Sequence, residues 1–174
     1  LGKTVQAFGF LDRIAAWPAV IVVQPHVQRH WEKKIGEFMQ VNTLPDNHLA
    51  EGLRVVSLNG GKRLDRTARA DVYIVHYLVL HAWHEFLIER GIKTVVFDEA
   101  QELRHPNTRK HEACTAIARF AENVAGLSGT PIYNHGIEMH TVMNTLCRGC
   151  LDTRAAFERA WCEYVAGKLV VKDP

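Results

Sequence analysis

No stretch of this 174-residue sequence approaches the length of an apolar membrane span. Cysteine is scarce, and four residues in a chain of this size do not suggest a disulfide framework. Neither charge sign dominates: 21 basic and 19 acidic residues leave a net +2. Any polyanion site must therefore be a local patch, because the global field is close to neutral. Tandem aromatics of the kind that stack single-stranded bases are absent. The ten histidines form no H-E-x-x-H spacing, and no Ser/His/Asp arrangement stands out for acyl transfer. Internal repeats and low-complexity segments are lacking as well. These absences disfavour an integral membrane protein, a small disulfide-stapled domain, a zinc-protease helix and a solenoid. The expected compartment is the cytoplasm of a prokaryote or phage host, or the nucleus of a eukaryote.

What the sequence does hold is alternation. Apolar content is an ordinary 47 %, and one domain of this length buries roughly two-thirds of its extended surface. β-Branched runs at residues 19–23, 53–58, 71–75, 92–97 and 124–127 read as strands. Helical spacing separates them at 5–15, 26–39, 78–90, 108–120 and 136–146, with a further helix expected over 153–165. Strand–helix alternation predicts an α/β fold, a parallel sheet with helices on both faces. The abrupt opening at Leu1-Gly2-Lys3-Thr4 and the apolar finish at Leu169-Val170-Val171 are expected of a segment of a longer protein.

The organising stretch is Val95-Val96-Phe97-Asp98-Glu99-Ala100-Gln101. A buried strand delivers two carboxylates to its carboxyl end, where open α/β sheets place their ligands. Standing alone, it could equally be a solvated turn after a core strand. Gly2-Lys3-Thr4 is the back half of the phosphate-loop signature G-x-x-x-x-G-K-[ST] at a helix start. Backbone N–H groups there face a phosphate, and the helix dipole favours its charge. Lys3 would reach the β/γ-phosphates and Thr4 would offer its hydroxyl to Mg²⁺. Three residues do not by themselves separate this from a chance Gly-Lys-Thr. Ser128-Gly129-Thr130-Pro131 follows another apolar strand and combines a tight turn, a hydroxyl and a fixed exit.

In this order and spacing, the motifs resemble the first RecA-like lobe of superfamily 2 helicase-like ATPases of the Swi/Snf type. Leu1-Gly2-Lys3-Thr4-Val5-Gln6-Ala7 looks like the end of their motif I. Val22-Val23-Gln24-Pro25 with Trp31-Glu32-Lys33 is similar to motif Ia and the helix after it. Val96-Phe97-Asp98-Glu99-Ala100-Gln101 stands where the family has D-E-A-H, with Gln101 replacing histidine. Leu127-Ser128-Gly129-Thr130-Pro131-Ile132-Tyr133-Asn134 resembles motif III. The resemblance implies a P-loop NTPase lobe over residues 1–150, lacking its first strand, and a helical extension over 151–174 that leads toward a second lobe. It implies ATP and Mg²⁺ as cofactors, with Gly2, Lys3 and Thr4 on the nucleotide, Thr4 and Asp98 on the metal, Glu99 activating water and Gln101 sensing the γ-phosphate side.

It further implies an ATP hydrolase that, in the intact parent, moves on double-stranded DNA. Pro25, His26, His76, Tyr77, Gly129, Thr130 and Pro131 would line the DNA track or couple it to the nucleotide. Arginine fingers belong to the second lobe and are worth several powers of ten in rate, so the segment alone is expected to be nearly inactive. Two alternatives stay open: a non-hydrolysing DNA- or protein-binding module built on this fold, and a superfamily 2 helicase that separates strands or acts on RNA. Lys62, Arg63, Arg66 and Arg69 are either a further DNA-facing patch or a solvated face. Cys147-x-x-Cys150, with His140 upstream and Cys162 downstream, is either half of a zinc site or a pair of ordinary thiols.

Overall fold

A computed structural model of the chain describes residues 2–39, 52–60, 69–130, 136–166 and 168–171. Five parallel strands form one sheet: β1 (Ala19–Val23), β2 (Val55–Leu58), β3 (Val72–His76), β4 (Thr94–Asp98) and β5 (Asn123–Leu127), in the order β2-β3-β1-β4-β5. The central strands read as unbroken apolar runs because both faces are covered. Every residue of β1 and β4 is buried.

Alternation along each strand sorts the side chains into two cores. Ile21, Ile74 and Val96 point toward α1 (Lys3–Ile14) and α2 (Gln28–Phe38), where Phe8, Leu11, Trp31 and Ile35 meet them. Val22, Val75, Val95 and Phe97 point the other way, into a larger cluster. That cluster contains Leu87 of α3 (Leu80–Glu89), Ile117 of α4 (Arg109–Phe120) and Val142 of α5 (Gly136–Leu146). The expected parallel sheet with helices on both faces is the observed one.

The chain from 153 to 165 departs from expectation. Helix α6 (Arg154–Trp161) starts at a Thr153 cap, whose hydroxyl accepts the Ala156 N–H at 3.2 Å. It stops at Trp161, and β6 (Cys162–Val165) pairs antiparallel with β7 (Lys168–Val171). Cys162, Tyr164 and Val165 rank low in helical propensity, and the facing run Lys168–Val171 supplies ladder partners for the backbone of 162–165. The apolar finish at Leu169-Val170-Val171 is thus one half of a hairpin. Of the basic cluster, Arg69 is exposed, while Lys62, Arg63 and Arg66 lie outside the described residues.

Candidate nucleotide site and its link to the strand ends

Parallel strands place their carboxyl ends on one rim, and the functional candidates gather there. Pro25 and His26 follow β1 in a 3-10 turn, His76 ends β3, Asp98 ends β4, and Ser128 to Thr130 follow β5. Gly2 opens α1 in the left-handed region at φ 85°, a conformation that suits glycine. The first N–H groups of the helix, unspent in any helix start, face the same rim.

Asp98 and Glu99 are adjacent in sequence and opposite in environment. Asp98 is 8 % exposed. Its Oδ2 accepts the indole N–H of Trp31 at 2.8 Å, and Oδ1 accepts the Glu99 N–H at 3.0 Å. Tyr77 supports it from below, donating its hydroxyl to the Asp98 carbonyl at 2.8 Å while its ring stacks on Phe97. Burial, first of all, raises the Tyr77 phenol well above its ordinary value, so this donor keeps its proton.

Glu99 sits at φ 50°, ψ 57°, a left-handed conformation that costs a non-glycine residue on the order of 1–3 kcal/mol and clusters at functional sites. The turn swings its carboxylate away from the core toward Lys3. Lys3 Nζ meets Glu99 Oε1 at 2.5 Å, with both side chains about one-third exposed (30 % and 33 %). Oε2 accepts the Gln101 amide at 2.7 Å. Partial burial pushes the Glu99 carboxyl up, but the hydrogen bonds from Lys3 and Gln101 and the Lys3 charge outweigh it, leaving Glu99 below the usual carboxylate value.

The chain of contacts continues. Gln101 Oε1 accepts the Ser128 hydroxyl at 2.7 Å, and Ser128 Oγ accepts the Thr130 N–H at 3.0 Å. Gly129 lies against Lys3: a Cβ there would stand 3.7 Å from Nζ. One relay thus runs Lys3–Glu99–Gln101–Ser128–Thr130, joining the start of α1 to the ends of β4 and β5. Beside it, Glu102 accepts from Gln24 at 3.1 Å and from Lys110 at 2.7 Å, tying the residue before Pro25 to the acidic turn.

The structure brings Lys3, Asp98, Glu99, Gln101, Gly129 and Thr130 together, with Gly2 and Thr4 at the same helix start. Pro25 and His26 are exposed on the rim. His76 turns a buried Nδ1 with no hydrogen-bond partner toward the interior, and burial lowers its imidazole pKa. Tyr77, expected along the DNA track, has its phenol buried under the acidic turn, in a supporting position. Pro131 lies outside the described residues. Sequence reasoning assigned no role to Trp31 or Ser128 as side-chain partners. Trp31 was visible as part of a recurring helix pattern and Ser128 as part of a turn, but nothing local names their partners. No group of three or more metal-ligating side chains occurs among the described residues, so the zinc alternative at Cys147 and Cys150 gains no further ligand.

A parallel sheet with a Gly-Lys-Thr helix start facing an Asp-Glu strand end defines the RecA-like class of P-loop lobes. The chain belongs to the SNF2-related domain family, whose pattern matches residues 1–166. Among its relatives is the SWI/SNF-related matrix-associated actin-dependent regulator of chromatin subfamily A-like protein 1 homolog of Caenorhabditis elegans. The two are 24 % identical over 169 residues, spanning 97 % of this chain and 23 % of that protein. The chromatin-remodeling ATPase INO80 of Arabidopsis thaliana is 26 % identical over 165 residues, spanning 90 % of this chain and 11 % of its own length. The fold matches the Sulfolobus solfataricus SWI2/SNF2 ATPase core in complex with dsDNA at a TM-score of 0.69 and 24 % identity. That alignment covers 92 % of this chain and 32 % of the solved one. The chain therefore spans about a quarter or less of the curated relatives named here. Among the described residues, no helix is long and apolar enough to cross a membrane.

Proposed function

We propose that this chain is the ATP-binding lobe of a DNA-dependent ATPase that, in its parent protein, couples hydrolysis to movement on double-stranded DNA. The observation that carries this is the Lys3–Glu99–Gln101–Ser128–Thr130 relay, because it joins the nucleotide end of the site to the loop after β5 through direct hydrogen bonds. Residues 1–150 form the lobe, and 151–174 lead toward a second RecA-like lobe of the same polypeptide. The cytoplasm of a prokaryote or phage host, or a eukaryotic nucleus, fits this role.

The donor set suits Mg-ATP: free helix-start N–H groups and an ammonium for phosphate, a hydroxyl and a buried carboxylate for a hard cation. Gly2, Lys3 and Thr4 would hold the phosphates, and Thr4 and Asp98 the Mg²⁺. When bound, Mg²⁺ supplies charge neutralisation on the β- and γ-phosphate oxygens. Asp98 is pre-positioned for this by Trp31 and by its own turn.

Glu99 is restrained in the structure described. Paired with Lys3 it is a weak base, since its carboxyl pKa is held down. Transfer of Lys3 from Glu99 to phosphate oxygens removes that restraint, and the Glu99 carboxyl rises toward a more basic range. Glu99 can then orient a water and take its proton, while Gln101 keeps the carboxylate aimed and reports its state to Ser128 and Thr130. Pro25, His26 and the 129–130 turn present the rim to backbone phosphates, which position without reading sequence.

The test is steady-state ATP turnover of the parent protein, with and without duplex DNA, beside Glu99→Gln. Duplex-stimulated turnover that falls by about 10²–10⁴-fold in the variant is expected for loss of a general base. Absence of turnover under every condition would overturn the motor and leave a binding module on an ATPase fold.

A further inference from the structure

We propose that Cys147 and Cys150 form a dithiol–disulfide exchange site whose substrate is a low-molecular-weight disulfide such as oxidised glutathione. The pair lies outside the nucleotide site, just past the end of α5. Cys147 N–H donates to Met143 O at 2.7 Å, closing the last helical turn. The chain then reverses: Cys150 N–H donates to Cys147 O at 3.2 Å, and Gly149 sits at φ 77°. A hydrogen-bonded turn of this kind brings its end Cα atoms within ~7 Å, and a disulfide needs roughly 4.4–6.8 Å. Both thiols are exposed, and the Cys150 thiol donates to the Met143 carbonyl at 3.9 Å, on the same end of α5 as Cys147.

Selectivity and direction follow from the surroundings. Cys114 and Cys162 are buried, and burial pushes the Cys114 thiol up to about 12, so neither competes for a soluble disulfide. The exposed pair stands just past the C-terminal end of α5. Cys150 is raised from its ordinary value, by burial first and then by its neighbour's thiol. Motifs that stabilise the thiolate make strong oxidants; the raised Cys150 thiol works the other way and favours the disulfide. Metal binding has less support, because no third metal-ligating side chain joins the pair among the described residues and His140 Nε2 lies 3.1 Å from the Asp152 carbonyl.

The exchange balances as follows. The Cys147 thiolate attacks one sulfur of the small disulfide, forming a mixed disulfide and expelling one thiolate. Cys150, losing its proton to solvent or to that thiolate, attacks the Cys147 sulfur and expels the second. The pair gives up two electrons and two protons, and the small disulfide leaves as two thiols.

The chain, first freed of metal with a chelator, is incubated with oxidised glutathione, then alkylated, weighed intact and peptide-mapped. The expected product has lost two hydrogens, resists alkylation at Cys147 and Cys150 together, retains reduced Cys114 and Cys162, and reverts with dithiothreitol. Cys150→Ser should trap one glutathione on Cys147. Continued alkylation of both exposed thiols, a stable glutathione adduct on the unsubstituted chain, or chelator-resistant zinc protecting the pair would each overturn the proposal.

Discussion

Asp98 and Glu99 show how two neighbouring carboxylates acquire different duties. Asp98 completes the buried strand and is fixed by an indole and by its own turn, which suits the cation-holding role proposed for it. Glu99, one residue on, is thrown into a left-handed conformation and reaches partners beyond its own strand. Its carboxylate is exposed enough to exchange them. Trp31→Phe keeps the ring in its core position against Phe8 but removes the donor to Asp98 Oδ2. Hydrogen bonds to charged groups are worth about 1.5–3 kcal/mol, so the variant should lose a comparable amount in urea denaturation. It should also weaken Mg²⁺-dependent nucleotide binding. An unchanged unfolding midpoint would show that the indole is a core filler and nothing more.

Between elements, β5, α5 and the turn after β4 converge closely at Gly126. Gly126 of β5 has no room for a side chain: a Cβ would meet Leu146 Cδ1 at 2.5 Å and Ala100 Cβ at 3.0 Å. Leu146 can rotate away, whereas Ala100 is fixed to the backbone that carries Glu99 and Gln101. Gly126→Ala should therefore cost about 1–3 kcal/mol by overpacking. Pairing it with Leu146→Ala should recover only part of that loss in a double-mutant denaturation cycle, because the Ala100 contact remains. Full recovery would place the strain in Leu146 alone.

At the scale of the whole molecule, α4 and α5 are joined by a histidine whose burial sets an acid limit to stability. His111 Nε2 lies 3.2 Å from the Thr145 hydroxyl, with Thr115 at 3.5 Å on Nδ1. Burial chiefly lowers its pKa, against a raising influence of Glu112 and with help from Arg119 and Lys110. A folded-state pKa below the unfolded one means the unfolded chain binds more protons, so stability falls as pH drops through and below the ordinary imidazole value of about 6.5. His76, also lowered by burial, adds in the same direction. The chain should denature at lower urea at about pH 5.5 than at about pH 7.5, and His111→Gln should shrink that difference. Glu99 acts in a lower window: its depressed carboxyl stabilises the fold above the ordinary value, and the gain is lost as pH falls through the depressed one.

The alternation of β-branched runs with 3.6-residue spacing determined the parallel sheet, because a strand buried on both faces must be apolar throughout and its crossover must be helical. Residue type and order likewise put Lys3, Thr4, Asp98, Glu99 and Gln101 into the one expected set on which the proposed phosphate handling rests. The hairpin of β6 and β7 was not legible in this way. Its strands are stabilised by each other's backbone, and neither run shows that alone. Contacts across long separations were decided only by folding. Trp31 and Asp98 lie 67 positions apart, Lys3 and Glu99 lie 96 apart, and Gln101 and Ser128 lie 27 apart. Local propensity carries no information about such pairs. Sheet order places the ends of β4 and β5 side by side, and that placement, together with the left-handed turn at Glu99, makes separate motifs into one connected site.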